Sequence, residues 1–181
     1  MLMSGASIVK QGIVRNLRSA TQQLQPCGVD LSLRRVLAWT SPATIDFDNS
    51  HRQAANASEL RFNKDTDTET IELRQGAYLV EFNETISVPL DYMGQVFVRS
   101  SLWRSGATLT AGVVDAGYEG ALGALLDVKN PAGIILHKDA KLGQIVMHQL
   151  EEKVAGYRGI YQFSESSLGR DGPSKTRPYT T

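Results

Sequence analysis

Short β-type segments at close intervals are the feature of this 181-residue chain that most limits its fold. Between residues 70 and 150, apolar and β-branched residues come in short runs, and Gly, Pro, Asn or Asp separates almost every pair of runs. This spacing favours an all-β sandwich or barrel-like fold over alternating strand–helix units. The predicted strands cover residues 70–73, 77–82, 85–88, 94–98, 107–114, 122–128, 133–136 and 144–150.

Two further elements precede these strands. Apolar residues near helical spacing predict a short amphipathic helix over residues 6–20, with Ser4 or Ser7 as its N-cap. Residues 29–33 alternate apolar and polar side chains, which is typical of a half-buried strand, and residues 36–39 extend that strand. The fold therefore begins with a helix and then continues in β-structure.

Two stretches lack the large apolar residues that build a core. Residues 40–70 are rich in Asn, Asp, Ser and Thr and predict a long surface loop or lid. Residues 164–181 carry Ser, Gly and Pro with a few basic residues and predict a flexible tail. The chain is thus predicted to form one domain over residues 1–163, followed by that tail.

Charge and cysteine content exclude several classes of function. The 19 basic residues balance the 19 acidic ones, whereas a nucleic-acid groove normally leaves a basic excess. No apolar run is long enough to cross a bilayer, so a soluble protein with no membrane partner is expected. The single cysteine, Cys27, and the three histidines show no zinc-ligand spacing. Together with the absence of a signal-peptide pattern, this indicates a cytosolic or nuclear compartment.

The first candidate site is the Arg-Ser-Ser-Leu-Trp-Arg segment that ends one predicted strand. Arg99 and Arg104 bring two guanidinium groups together with the hydroxyls of Ser100 and Ser101. Guanidinium groups bind phosphate through a planar fork of donors, and short hydroxyls add further donors, so the segment suits a polyphosphate. The alternative is an exposed polar loop with a surface ion pair.

The second candidate site follows the next strand, in the glycine-rich segment over residues 111–120. Asp115 emerges from apolar residues and is placed to hold and polarise a water molecule. Gly112 permits close approach of a ligand to the backbone, and Tyr118 offers a flat apolar face with a polar tip. The alternative is a hairpin turn capped by the aspartate.

Two other aspartates lie within apolar strands. Asp30 has no charged partner nearby in the sequence, and Asp127 follows two leucines. An acidic residue in such a strand either faces solvent, which is the commoner case, or is held at a site.

Five segments in order resemble the dUTPase and dCTP deaminase superfamily, most closely the archaeal-type dUTPases. They are residues 25–31, 84–89, 99–102, 111–120 and 143–145. The resemblance implies a distorted all-β jelly roll, the dUTPase-like β-clip, with a short N-terminal helix. It also implies a homotrimer with three active sites at the subunit interfaces.

By this resemblance the chain is a dUTP diphosphatase that hydrolyses dUTP to dUMP and pyrophosphate with Mg²⁺ carried on the triphosphate. Asp115 then orients the attacking water, and the ring of Tyr118 lies against the deoxyribose and excludes a 2′-hydroxyl. Asp30 is at most an outer residue that touches metal-bound water, and no residue binds the metal directly. The other nucleotide-binding residues that the resemblance implies are Arg99, Ser100, Ser101, Arg104, Gly112, Gln144, Tyr161 and Gln162.

Two alternatives remain open at this stage. The first is a zinc-independent dCTP deaminase, alone or bifunctional, in which Asp127 takes the place of the proton-carrying glutamate of that branch. The second is a catalytically silent nucleotide-binding homologue. By the same resemblance, Arg170, Lys175 or Arg177 of the tail is a candidate for closing over the phosphates, and the alternative for each is a solvated tail residue.

Overall fold

The computed structural model describes residues 1–64 and 68–172, and strands dominate this part of the chain. The helices are α1 (Gly5–Lys10), α2 (Ala20–Gln23) and α3 (Ser100–Arg104). The strands are β1 (Val14–Arg15), β2 (Leu24–Gln25), β3 (Gly28–Trp39), β4 (Ala57–Leu60), β5 (Thr70–Leu73), β6 (Gly76–Ser87), β7 (Tyr92–Val98), β8 (Ala107–Thr110), β9 (Val113–Val114), β10 (Glu119–Val128), β11 (Ile134–His137) and β12 (Lys141–Gln149). These strands pair in antiparallel fashion, and the predicted all-β class is confirmed.

Strand β3 joins the two halves of the main sheet. Its residues 29–32 pair with β12, and its residues 33–37 pair with β6. Beyond β12 the sheet continues through β7 to β9, and beyond β6 it continues through β10 to β8. Strand β1 joins β6, β2 and β4 join β3, and β5 pairs with β11 in a separate small sheet. Strand β12, which carries Gln144, and strands β7 and β9, which end just before Arg99 and Asp115, therefore lie side by side.

The core is built from side chains that alternate along the strands. On β10, Leu122, Ala124, Leu126 and Val128 are buried, whereas the residues between them are more exposed. Burying a leucine or isoleucine side chain stabilises the fold by about 1.5–3 kcal/mol. The largest fully buried apolar side chains are Phe82, Ile8, Leu31, Leu33, Leu73, Ile86, Leu126, Ile145 and Met147.

The N-terminal helix is shorter than predicted. The Ser4 hydroxyl caps α1 by accepting the Ser7 amide at 3.2 Å, but the helix ends at Lys10 instead of extending to residue 20. The chain turns at Gly12, which has a φ of +66°, and then forms β1 against β6. Within the two described ranges no helix is long and apolar enough to cross a membrane.

The predicted strands 77–82 and 85–88 form one continuous strand, β6. The polar residues between them predict a turn, but Glu84 is fully buried and its carboxylate accepts hydrogen bonds from Ser32 and Gln23. Because the buried carboxylate is fully partnered, the strand does not need to reach solvent there.

Other predicted boundaries differ less. Strand β5 matches the predicted 70–73, whereas the predicted strand 107–114 is interrupted at residues 111–112 and forms β8 and β9. The prediction of a long surface loop or lid over residues 40–70 is wrong in part, because β4 lies within it and pairs with residues 36–39 of β3.

The first part of the predicted tail packs against the body of the protein. Ser164 is 3% exposed, and its carbonyl accepts the Ala121 amide at 2.7 Å. Residues 165–172 continue along β6 and the loop before β4 through the contacts described below. The flexibility of residues 164–181 and the domain boundary after residue 163 stay predictions.

Candidate active site

A cavity of about 270 Å³ contains several of the predicted site residues. Gly112, Asp115 and Tyr118 of the glycine-rich segment line it, and so does Tyr161 from the C-terminal segment. The other residues that line it are Val96, Ala111, Val113, Val114, Ala121, Leu122, Gly123 and Tyr157. The structure thus brings together four of the residues that the sequence singled out, and it surrounds them with apolar and aromatic groups.

Asp115 lies directly after β9, at the start of a tight turn. The Tyr118 amide donates to the Asp115 carbonyl at 3.1 Å, and Gly117 has a φ of +76°, which side chains rarely allow. The Asp115 carboxylate is exposed in the single chain and lines both this cavity and an adjacent one of about 420 Å³. Among the described residues none donates a hydrogen bond to this carboxylate, so its oxygens are free to bind water or a ligand.

The Tyr118 ring is held at both ends. Its hydroxyl donates to the Ala121 carbonyl at 2.8 Å, and its ring meets the Tyr157 ring edge-to-face at a centroid distance of 5.6 Å. Burial raises the pKa of Tyr118 and Tyr157 adds to that rise, while the positive charge of Arg170 partly offsets both. Tyr118 therefore presents a neutral ring in a fixed orientation to the cavity.

Asp30 organises the other candidate site. Its carboxylate Oδ2 lies 3.2 Å from Arg99 Nε and 3.3 Å from Lys141 Nζ, and it accepts Gln25 Nε2 at 3.0 Å. Asp30 is only 1% exposed, and Ser32 on the same strand is equally buried. The prediction of a half-buried strand over residues 29–33 is therefore wrong, because both of its faces are covered.

Two of the predicted phosphate-binding residues, Arg99 and Gln144, lie beside this carboxylate. Gln144 of β12 lies opposite Asp30 in the strand register, and Arg99 precedes the first turn of α3. Ser100 and Ser101 are exposed in that turn, so their hydroxyls are accessible. The second guanidinium, that of Arg104, stacks 4.3 Å from the Trp103 ring at the end of α3. Donors for a polyphosphate are thus concentrated at one end of β7 and β12.

In the described chain these two groups of residues do not line the same cavity. Arg99, Ser100, Ser101, Arg104 and Gln144 do not line the cavity that holds Asp115. A single copy of the described residues therefore contains two partial sites, one with the aspartate and tyrosine and one with the phosphate donors.

Asp127 does not line the cavity that holds Asp115. It follows Gly123 of the cavity wall by four residues on β10, a separation of about 13 Å along a strand. Its carboxylate lies 3.6 Å from Lys129 Nζ, and both side chains are substantially exposed. The structure does not bring Asp127 to the cavity.

The C-terminal candidates have different roles. The Gln162 side chain accepts the Glu119 amide at 3.0 Å and donates to the Gly117 carbonyl at 2.9 Å, so it holds the turn that follows Asp115. The Tyr161 ring lines the cavity. Arg170 donates to the Ile160 carbonyl. Lys175 and Arg177 lie outside the described residues.

Sequence reasoning missed three residues that matter here. Lys141 is close to the predicted Gln144 in the sequence, and this proximity could have indicated that Lys141 belongs to the same site. Tyr157 lines the cavity and contacts Tyr118, but nothing in the surrounding sequence distinguishes it from a surface tyrosine. Glu81 is 1% exposed in the middle of β6, and its acidic character alone predicts exposure.

Comparisons with known proteins agree with these observations. A family model described as dCTP deaminase-like matches residues 4–150. The probable deoxyuridine 5′-triphosphate nucleotidohydrolase of Methanosarcina mazei is 39% identical over 151 residues, which cover 83% of this chain and 86% of that protein. The deoxyuridine 5′-triphosphate nucleotidohydrolase of Methanocaldococcus jannaschii is 38% identical over 141 residues, covering 78% of this chain and 88% of that protein.

A solved structure resembles the fold. The 2′-deoxycytidine 5′-triphosphate deaminase of Agrobacterium tumefaciens aligns with a TM-score of 0.61 at 16% identity, over 82% of this chain and 47% of that chain. This chain therefore spans about half the length of that deaminase chain. At this level of identity the likeness concerns the fold.

Proposed function

Because the chain belongs to the dCTP deaminase-like family, we propose that it hydrolyses dUTP to dUMP and pyrophosphate. The relatives that are 38–39% identical carry the name of a deoxyuridine 5′-triphosphate nucleotidohydrolase. Their names support dUTP as the substrate and water as the second reactant.

The observation that carries this proposal is the Asp115 carboxylate, which lines the cavity beside Tyr118 and has no hydrogen-bond donor among the described residues. In the proposed reaction this carboxylate accepts a hydrogen bond from a water molecule and directs it at the α-phosphorus. The water oxygen forms a bond to phosphorus and gives a proton to the Asp115 carboxylate, the bond from phosphorus to the bridging oxygen breaks, and pyrophosphate leaves. The Tyr118 ring supports the sugar on the other side of the cavity.

The phosphates are proposed to bind at the second partial site. Arg99 offers a planar fork of donors, and Ser100, Ser101 and Gln144 supply shorter polar groups around it. The buried Asp30 carboxylate fixes the side chains of Arg99 and Lys141 through ion pairs at 3.2 and 3.3 Å. Its Oδ2 already faces three donors, which does not suit a direct metal ligand. We therefore treat Mg²⁺ as part of the substrate, where it neutralises phosphate charge.

We further propose a homotrimeric jelly roll in which neighbouring subunits complete the active sites. Two observations support this: the two partial sites share no cavity within the described chain, and large apolar side chains are exposed on the segments that form them or next to those segments. Phe97 is 45%, Trp103 51% and Val113 61% exposed. Light scattering of the purified protein tests this, with a mass of three chains expected and a monomer contradicting it.

The geometry gives less support to deamination of dCTP. Strand β10 contributes Ala121, Leu122 and Gly123 to the cavity wall, and none of these side chains can carry a proton. Asp127, the proposed proton carrier of that alternative, lies beyond the wall. A silent nucleotide-binding homologue is also less well supported, because Asp115, Tyr118 and Arg99 are all present.

The proposal includes the arrangement of the chain and its compartment. We propose a catalytic domain over residues 1–163 with a C-terminal tail over residues 164–181. A cytoplasmic location follows from the deoxynucleotide substrate and from the single cysteine.

One assay tests the function. The protein is incubated with dUTP, dCTP and UTP, with and without Mg²⁺, and pyrophosphate and ammonia are measured separately. We expect pyrophosphate from dUTP with Mg²⁺ and no ammonia from dCTP. Asp115→Asn should remove most pyrophosphate release while the protein stays folded, and Asp127→Asn should behave like the wild type. Near-normal turnover by Asp115→Asn would contradict the assigned role.

A further inference from the structure

The C-terminal segment, residues 157–172, is here called the strap, because it runs across the outside of the candidate site. Its first part is hydrogen-bonded to the turn that follows Asp115. The Tyr157 amide donates to the Ala116 carbonyl at 2.7 Å, and the Ser164 carbonyl accepts the Ala121 amide at 2.7 Å. The strap thereby supplies two of the tyrosines that line the cavity.

A buried acid outside the proposed chemistry holds the middle of the strap. Glu81 of β6 is 1% exposed, and its carboxylate receives two hydrogen bonds from Arg35, at 2.7 and 3.1 Å. Its Oε1 also accepts the Ser166 hydroxyl at 2.6 Å and the Ser167 amide at 2.7 Å. One carboxylate therefore links the guanidinium on β3 to two consecutive residues of the strap.

This carboxylate is charged under ordinary conditions. Burial alone would raise the pKa of Glu81, but the hydrogen bonds from Arg35, Ser166 and the Ser167 amide outweigh burial and hold the pKa below its usual range. Hydrogen bonds to a charged acceptor are stronger than those between neutral groups. The two bonds to the strap are thus stronger than ordinary loop contacts.

Gly123 of β10 and the loop before β4 also contribute to the docking of the strap. A Cβ atom on Gly123 would lie only 2.5 Å from the Ser167 Cβ, so the absence of a side chain at Gly123 makes room for the strap. Further along, the Arg52 guanidinium lies 5.5 Å from the centre of the Tyr161 ring, and its Nε donates to the Arg170 carbonyl at 3.2 Å. The predicted surface loop before β4 therefore contacts the far end of the strap.

We propose that Glu81 is a positioning residue for the candidate site: by docking the strap on β6 and β10, it keeps Tyr157 and Tyr161 at the cavity wall. The proposal rests on the proposed function in that the cavity is taken to receive a deoxynucleotide. Glu81 itself touches no substrate. The Gln162 hydrogen bonds that hold the turn after Asp115 do not involve Glu81, so loosening the strap at Glu81 should weaken substrate binding and leave the chemical step largely intact.

The test uses two neighbouring serines of the strap. Ser166→Ala removes the hydroxyl that donates to Glu81 and that accepts Arg35 Nη2 at 3.2 Å and the Leu168 amide at 3.1 Å, and it leaves the Glu81–Arg35 pair in place. Ser167→Ala is the matched control, because the Ser167 hydroxyl has no hydrogen-bond partner among the described residues. Amide hydrogen exchange of residues 157–168 reports docking without any nucleotide, and KM and kcat for dUTP report its effect on the site.

We expect Ser166→Ala to speed exchange of the strap amides other than Leu168 by at least about tenfold, because losing the single hydrogen bond to the charged Glu81 already corresponds to about that factor, and the hydroxyl also binds Arg35 and the Leu168 amide. We expect KM for dUTP to rise several-fold with kcat within about twofold of wild type, and Ser167→Ala to exchange like the wild type. Glu81→Gln should reproduce the Ser166→Ala pattern.

Three results would overturn the proposal: unchanged exchange in Ser166→Ala, faster exchange with an unchanged KM, or equal effects of both serine changes. A wild-type protein that does not hydrolyse dUTP would instead overturn the proposed function. In that case the exchange comparison alone decides whether Glu81 docks the strap.

Discussion

Replacing Asp30 by asparagine removes a buried charge while keeping the shape of the side chain. With an effective dielectric constant of about 20, each ion pair at the observed 3.2 and 3.3 Å contributes about 5 kcal/mol before desolvation. Removing one partner of a buried pair costs about 3–5 kcal/mol overall. Arg99 and Lys141 each keep 29% of their side-chain surface exposed, so water stabilises them partly. We therefore expect a loss near 3 kcal/mol.

The loss appears as a lower midpoint of thermal unfolding. For a domain of this size about 2–4 °C corresponds to 1 kcal/mol, so the midpoint should fall by roughly 6–12 °C. Measurements are made at one protein concentration, since association changes the midpoint. Asp127→Asn is the matched control, because its exposed pair with Lys129 should contribute about 0–1 kcal/mol. We also expect KM for dUTP to rise in Asp30→Asn, since Arg99 loses its anchor.

Two results would refute this reasoning. Equal midpoints for Asp30→Asn and Asp127→Asn would show that the buried carboxylate does not stabilise its cationic neighbours. A wild-type midpoint combined with a higher Mg²⁺ requirement would show that Asp30 acts on metal-bound water instead.

Three further predictions concern other parts of the molecule. Because the pKa of Glu81 is lowered in the folded protein, its stabilising contribution is present above the unfolded carboxyl pKa of about 4.3 and is lost as the pH falls below it. The free energy of unfolding should therefore fall less steeply with decreasing pH in Glu81→Gln than in the wild type, and equal profiles would contradict this. Gly117→Ala forces a side chain into a φ of +76° and toward the Gly156 Cα at 2.9 Å, so chemical denaturation should report a loss of at least about 1 kcal/mol and the assay a fall in dUTP turnover. Val113→Asp places a charge on the proposed subunit interface, and sedimentation should then show a smaller trimer fraction, whereas an unchanged trimer would place Val113 outside the interface.

The all-β class could be predicted because the strand signal is local. In β5 the apolar side chains of Ile71 and Leu73 alternate with polar ones, and the structure buries both. Strand β4 escaped prediction because Ala, Ser and Glu give it little apolar character, and its strand form depends on pairing with β3. The local pattern of apolar residues therefore predicts core-forming strands more reliably than edge strands, whose formation depends on pairing with a neighbour.

The candidate site was predictable only in pieces. Asp115, Tyr118 and Gly112 are close in sequence, and the structure places them in one cavity. The burial of Asp30 was not predictable, because its cationic partners Arg99 and Lys141 come from distant strands. The role of Tyr157 likewise depends on how the strap returns to the turn after Asp115. These contacts depend on the topology of the fold, and a single sequence does not specify which distant residues the topology brings together.

Strand β3 changes its pairing partner from β12 to β6 along its length, and this change also governs the order in which the sheet can form. Residue 30 pairs with residue 144, while residues further along the same strand pair with β6. During synthesis β6 leaves the ribosome long before β12, so the β6 side can form first. The edge of β3 that awaits β12 stays unpaired until translation is nearly complete. We expect nascent chains that end before residue 141 to require chaperones. We also expect the ion pairs of Asp30 with Arg99 and Lys141 to form last.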